Sequence, residues 1–104
     1  IFLPSSRDFH QDHQTITQEG IRAFKFNTIL GYELIWNNLS FSTDCFIKIN
    51  EFHISKKIEA LAAYQTQATK NYMSPEFIRS LATVRGTQIG EKYAETFEVI
   101  RWII

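Results

Sequence analysis

Three residues that could do metal or acid-base chemistry stand together near the start of the chain, in the stretch His10-Gln11-Asp12-His13. Neutral imidazole nitrogen is a preferred zinc ligand, and a carboxylate beside an imidazole can fix its tautomer and stabilise its charged form. The pattern therefore predicts that one histidine binds a metal ion while the other handles protons. A plainer interpretation stays open, in which Asp12 caps a helix and both histidines are ordinary loop residues.

The number of ligands limits such a site. A catalytic zinc ion usually takes about three protein ligands and keeps one open position, so two histidines alone cannot complete it. The remaining histidine, His53, lies just before a predicted helix, and we expect it to be a cap-region or surface residue.

The cluster lies between a predicted strand and a predicted helix, where open α/β sheets place their sites. Residues 1–4 are predicted to form a short buried strand, and residues 5–9 a polar turn. A helix is predicted from about Asp12, with Asp12 as its N-cap. Its expected apolar stripe is formed by Ile16, Gly20, Ala23 and Phe24.

Strands and helices alternate along the rest of the chain. Strands are predicted at residues 28–35, 46–50 and 97–104, the last being a closing strand or a frayed tail. Helices are predicted from residue 55 to about residue 70 and again after Ser74, which is followed by Pro75 at the first helical position. Gly86 and Gly90 predict close packing or an early end of this last helix. The alternation predicts an α/β layer structure with a partly parallel sheet of about four strands.

Composition and charge exclude several classes of protein. The chain has 104 residues, of which 44% are hydrophobic and 21% charged, and this composition suits one small globular domain. Eleven basic and eleven acidic side chains give a net charge of zero, so no global field attracts nucleic acid or an anionic membrane. No apolar run approaches the roughly 20 residues of a membrane span. The single Cys45 excludes an intrachain disulfide and fits a reducing compartment, so a cytoplasmic location is expected.

The chain begins with Ile1 rather than methionine, and Ile1-Phe2-Leu3 has the composition of a strand already under way. We therefore expect a piece of a larger domain.

Four stretches resemble, in order, the motifs of one family. Residues 8–13, with the sequence DFHQDH, resemble the second motif of the PIG-L/LmbE-like deacetylases, which is usually HPDH or HQDH. Residues 57–67 are similar to that family's helix ending in a Ser/Thr-Gln pair. Arg85-Gly86 resembles its closing "RG" element, and residues 93–97 its "AE-x-F" element. The likeness covers nearly the whole chain.

The resemblance implies a zinc-dependent hydrolase, with another divalent metal as an alternative, that removes acetyl from an N-acetylated amino sugar such as an N-acetylglucosaminyl conjugate. His13 would match the metal ligand of the second motif. His10 would match the histidine that stabilises the tetrahedral oxyanion or protonates the leaving amine, working best as an imidazolium, and Asp12 its neighbouring carboxylate. Gln67 would match a substrate-binding residue, although a surface glutamine on a helix is the simpler interpretation.

One departure from the family pattern is large. The family's other metal ligands and its general-base aspartate come from an AHPDDE-type loop, and no such motif occurs in this sequence. The expected fold is therefore α/β, the C-terminal portion of a Rossmann-like three-layer sandwich, with residues 1–104 as part of a single deacetylase domain. Its expected partners are the sugar substrate and the missing N-terminal segment, without nucleic acid, and a homo-oligomer remains open.

Two other functions remain open from the sequence. One is a carbohydrate-binding or scaffold module that has the same fold without the chemistry. The other is a metal-dependent amidohydrolase that acts on acylated molecules other than sugars. Tyr32 and Trp36 could stack on a sugar ring or belong to the core.

Overall fold

The computed structural model describes residues 1–64 and 74–104. These residues form a mixed α/β fold with three helices and four strands. The helices are α1 (Gln11–Ala23), α2 (Glu51–Ala62) and α3 (Pro75–Thr87). The strands are β1 (Phe2–Pro4), β2 (Ile29–Tyr32), β3 (Cys45–Ile49) and β4 (Tyr93–Arg101).

The strands form one sheet in the order β1-β2-β4-β3. β1 pairs in parallel with β2, so that Leu3 lies opposite Gly31. β2 pairs antiparallel with β4, and there Gly31 lies opposite Glu98. The predicted α/β class and partly parallel sheet are confirmed, and the described strands number four, as expected.

Compact packing divides the chain into two units, Ile1–Cys45 with Thr96–Ile104 and Phe46–Glu95. In the first unit α1 packs on β1 through an unexpected face. The Thr17 hydroxyl donates to the carbonyl oxygen of Pro4 at 2.9 Å, and a Cβ added to Gly20 would lie 2.6 Å from Leu3 Cδ1. The predicted stripe is therefore wrong at Ile16, Ala23 and Phe24, which are exposed, and right at Gly20, which is buried. Thr17 can be buried instead because the carbonyl satisfies its hydroxyl.

The N-cap of α1 also differs from the prediction. His10 is the cap residue, and its Nδ1 accepts the backbone N–H of Asp12. Asp12 lies inside the first turn, where a carboxylate favours the positive end of the helix dipole.

Strand β2 ends at Tyr32, before the predicted limit, and Ile35–Asn37 form a turn of 3-10 helix. In the second unit α2 begins at Glu51, four residues before the predicted start. Asn50 caps it, and His53 returns a hydrogen bond to the Asn50 N–H, which confirms the expected cap role of His53.

The core of the second unit lies between α2 and α3. Ile54 from α2 is buried against Ile78 and Ala82 from α3. The predicted cap of α3 is confirmed, because the Ser74 hydroxyl accepts the backbone N–H of Phe77 and Pro75 is the first helical residue.

Gly86 explains where α3 ends. A Cβ at this position would lie 2.7 Å from backbone atoms of Glu91, Lys92 and Tyr93, so the chain can return this closely only past a glycine. Gly90 then takes a positive φ of 72°. β4 starts at Tyr93, four residues before the predicted start, because the chain enters the sheet directly after this turn.

None of the helices in the described ranges is both long and apolar enough to cross a membrane.

Candidate active site

A buried carboxylate organises the loop that follows β1. Asp8 is 1% exposed, and its Oδ2 lies 2.8 Å from Nδ1 of His13. Its other oxygen, Oδ1, accepts the backbone N–H of His10 at 2.8 Å. One side chain therefore fixes both the loop backbone at His10 and the ring of His13 on the first turn of α1.

The two imidazoles that the sequence singled out lie together. The ring centroids of His10 and His13 are 4.5 Å apart, with 25° between the ring planes, so the rings stack. His10 is exposed, while the His13 side chain keeps 26% of its accessible surface. His13 owes its position to α1, because it lies one turn before the buried Thr17 on the face that packs on β1.

The Asp12 side chain is not the carboxylate that contacts an imidazole, although its spacing in the sequence suggested that role. It joins the arrangement through its backbone N–H, which Nδ1 of His10 accepts at 3.2 Å, and its side chain is exposed. The carboxylate within hydrogen-bond distance of an imidazole is that of Asp8.

Hydrogen bonds from β4 hold the turn that leads to Asp8. Glu98 Oε2 accepts the Ser5 hydroxyl and the Ser6 backbone N–H, both at 2.8 Å, and its Oε1 accepts the Ser6 hydroxyl. Glu98 reaches this turn across β2 at Gly31, where an added Cβ would lie 3.2 Å from Glu98 Oε2. Gly31, which lies within β2, thus leaves room for the carboxylate that anchors the site loop.

A second loop, after β2, lies beside the first. The Phe9 N–H donates to the carbonyl oxygen of Asn37 at 3.0 Å, and Arg7 Nη1 donates to the Ser40 hydroxyl at 3.2 Å. β1 and β2 are parallel, so both loops leave the same edge of the sheet. Open α/β sheets place their sites at this edge, beyond the carboxyl ends of the strands.

The aromatic residues near these loops have distinct surroundings. Burial raises the pKa of the Tyr32 phenol, and the negative charge of Asp8 raises it further. Trp36 is 38% exposed, and Phe9 and Leu39 are also exposed. An apolar surface therefore lies on the same two loops as the histidines.

The described residues contain no group of three or more His, Cys, Asp or Glu side chains placed to hold a metal ion. His13 fits the role of a single zinc ligand. Zinc-binding histidines almost always use their second ring nitrogen on a carboxylate, carbonyl or water, as His13 does with Asp8. Gln67 and the Thr66-Gln67 pair lie outside the described residues.

Asp8 is the residue that the sequence pattern did not single out. Its signal was available, because an aspartate two residues before His10 can accept a local backbone N–H in a turn. Its contact with His13 depends on where α1 begins.

Two comparisons with known proteins gave no relative. No protein-family model matches this chain, and no curated protein matches it significantly.

Proposed function

We propose that this chain is part of a zinc-dependent hydrolase that removes acetyl from an N-acetylated amino sugar. The observation that carries the proposal is the stacked pair of His10 and His13, with the buried Asp8 on one ring, at the carboxyl end of β1. The motif resemblance in the sequence supplies the reaction class and the substrate class. The proposed architecture is the C-terminal portion of a Rossmann-like three-layer sandwich, and the proposed location is the cytoplasm.

Each side chain has one role in this proposal. His13 is the ligand, directed by Asp8, and the remaining ligands and the general base come from an AHPDDE-type loop outside residues 1–104. A bound zinc ion would supply Lewis acidity toward the acetamide group and toward water. His10 lies beside His13 and stabilises the oxyanion or delivers a proton to the leaving amine.

The cap of α1 supports one form of the proposed role of His10. Its Nδ1 accepts the N–H of Asp12, so that nitrogen carries no proton while the cap exists. In this state His10 offers a neutral Nε2–H, which suits oxyanion stabilisation. An imidazolium at His10 would require the cap of α1 to open.

The test joins the chain to an upstream segment that carries an AHPDDE-type loop. Zinc content and acetate release from N-acetylglucosaminyl conjugates are measured for the wild type, His13→Gln and His10→Asn. We expect zinc to be lost in His13→Gln. In His10→Asn we expect retained zinc with acetate release lowered about 10²–10³-fold, the usual effect of removing one oxyanion donor. Gln14→Ala, on the exposed side of the same helical turn, is the matched control.

Other outcomes identify the alternatives. Absence of bound zinc in the joined protein contradicts the proposal and favours the carbohydrate-binding or scaffold module. Release of acetate from acylated peptides, with none from amino sugars, favours the other amidohydrolase.

A further inference from the structure

In the stacked imidazoles of His10 and His13, the two Nδ1 atoms have different hydrogen-bond partners. Nδ1 of His13 lies 2.8 Å from the carboxylate of Asp8, and a carboxylate accepts hydrogen bonds without donating them. Nδ1 of His13 must therefore carry a proton. Nδ1 of His10 accepts the backbone N–H of Asp12, so it must carry a lone pair.

A neutral imidazole has one proton for two nitrogens, so these partners determine the state of each Nε2. His13 keeps a lone pair on Nε2, and His10 keeps a proton there. We propose that Asp8 is a positioning residue which, together with the cap of α1, holds the two stacked rings in opposite tautomers. The site then presents a metal-ligating lone pair beside a hydrogen-bond donor.

Burial and a second hydrogen bond hold the carboxylate of Asp8 in place. Its side chain is fully buried, and its Oδ1 is occupied by the N–H of His10. The carboxylate therefore cannot rotate toward water without losing a backbone hydrogen bond, and Oδ2 stays directed at His13. The same contact occupies Nδ1 of His13, so Nε2 is the nitrogen that would ligate a metal ion.

The catalytic use of the two tautomers rests on the proposed function. The tautomers themselves are inferred from the hydrogen bonds of the two rings alone. A long-range ¹H–¹⁵N correlation spectrum of the labelled 104-residue chain shows which nitrogen of each ring is protonated. It is recorded at a pH above which the ring signals no longer change, so that the imidazoles are neutral. His53 is an internal reference, because its Nδ1 accepts the N–H of Asn50.

We expect an Nδ1-protonated pattern for His13 and an Nε2-protonated pattern for His10 and His53. His10→Asn and His13→Gln assign the signals. In Asp8→Asn the amide oxygen can still accept the N–H of His10, while its NH2 group donates to Nδ1 of His13. The proton of His13 should then move to Nε2, with His53 unchanged.

A wild-type His13 protonated on Nε2 overturns the proposal, and so does a His13 pattern that Asp8→Asn leaves unchanged. If the variant does not fold, the wild-type spectrum alone tests the proposal.

In the joined protein, Asp8→Asn should weaken zinc binding about 10–100-fold, the usual effect of losing a partner of a ligating histidine. Opposite tautomers without zinc binding in the joined protein would uphold the role of Asp8 and contradict the deacetylase. Zinc binding by the joined protein, with His13 protonated on Nε2 in the 104-residue chain, would contradict the role of Asp8 and leave the deacetylase proposal standing.

Discussion

At the scale of single residues, the two aspartates of the site loop differ in burial although only four positions separate them. Asp8 is buried and bonded to a backbone N–H and to a ring, whereas Asp12 is exposed in the first turn of α1. A carboxylate with buried partners affects stability far more than one that faces water. The sequence spacing predicted Asp12 as the carboxylate that partners a histidine. The structure gives that contact to the buried Asp8.

The first prediction compares these aspartates. Asp8→Ala should lower the free energy of unfolding by about 1–3 kcal/mol, because it leaves the His10 N–H and the His13 ring without their partner. Asp12→Ala should cost at most about 1 kcal/mol, the size of a charge interaction with a helix dipole. Urea unfolding followed by circular dichroism measures both. Equal losses for the two variants would contradict the assigned burial.

The second prediction concerns the ionisation of Tyr32, whose pKa is raised above 10.0 by burial and then by Asp8. A raised folded-state pKa gives stability that is complete below the unfolded value and is lost as the pH rises through the folded value. Tyrosinate absorbance should therefore show a late-titrating phenol that Tyr32→Phe removes. In Asp8→Asn the pKa of the Tyr32 phenol should fall but stay above 10.0, because burial is the larger cause of the shift. An unchanged titration in Asp8→Asn would contradict the contribution of Asp8.

At the scale of elements, α1 begins on a residue that also belongs to the candidate site. His10 is not among the preferred N-cap residues, yet its Nδ1 takes the role that a Ser, Asn or Asp oxygen usually has. The same ring therefore contributes to helix stability and to the proposed chemistry, and substitutions must separate the two.

The third prediction separates the helix-capping contribution of His10 from its imidazole chemistry. His10→Ala should lower the free energy of unfolding by about 0.5–2 kcal/mol through loss of the cap. His10→Asn should retain most of that stability, because asparagine is a preferred cap residue, while it removes the imidazole. Thermal unfolding measures the difference. A cost for His10→Asn as large as that for His10→Ala would show that the cap is not what His10 contributes.

The fourth prediction concerns the end of α3. Gly86→Ala improves helix propensity by about 1 kcal/mol, but its Cβ would lie 2.7 Å from backbone atoms of the returning chain. Overpacking of this kind costs about 1–3 kcal/mol or more, so the net effect should be destabilising. Ser80→Ala, at an exposed position of the same helix, should be neutral or slightly stabilising. Stabilisation by Gly86→Ala in chemical unfolding would contradict the close approach.

At the scale of the whole molecule, exposed apolar side chains outnumber buried ones among residues 1–64 and 74–104. Seven apolar residues of the described ranges are buried, whereas sixteen large ones are exposed, among them Phe26, Leu39 and Trp102. Small domains bury a limited share of their surface, and so many exposed apolar groups favour contact with other surfaces.

The fifth prediction follows from this surface. The 104-residue chain should bind the dye ANS in its folded state, and its sedimentation mass should rise with protein concentration. The double variant Phe26→Ser, Leu39→Ser, at positions 88% and 93% exposed, should reduce both signals without loss of folding. A concentration-independent monomer that does not bind ANS would contradict this expectation.

The sequence by itself determined what depends on neighbours within a few positions. The Ser74-Pro75 start of α3, the alternation that predicts β3 and the pairing of two histidines one turn apart all act over short separations. Helix caps and side-chain periodicity are local properties, so a single sequence carries them.

Only the tertiary structure decided what depends on the register of distant segments. Thr17 is buried because α1 lies over Pro4, and Glu98 anchors the site loop because Gly31 opens a path across β2. Asp8 reaches His13 because the loop and the helix start are fixed together. Each contact exists only once separate elements have packed, since burial and satisfied hydrogen bonds, rather than residue type, then determine which polar groups lie inside.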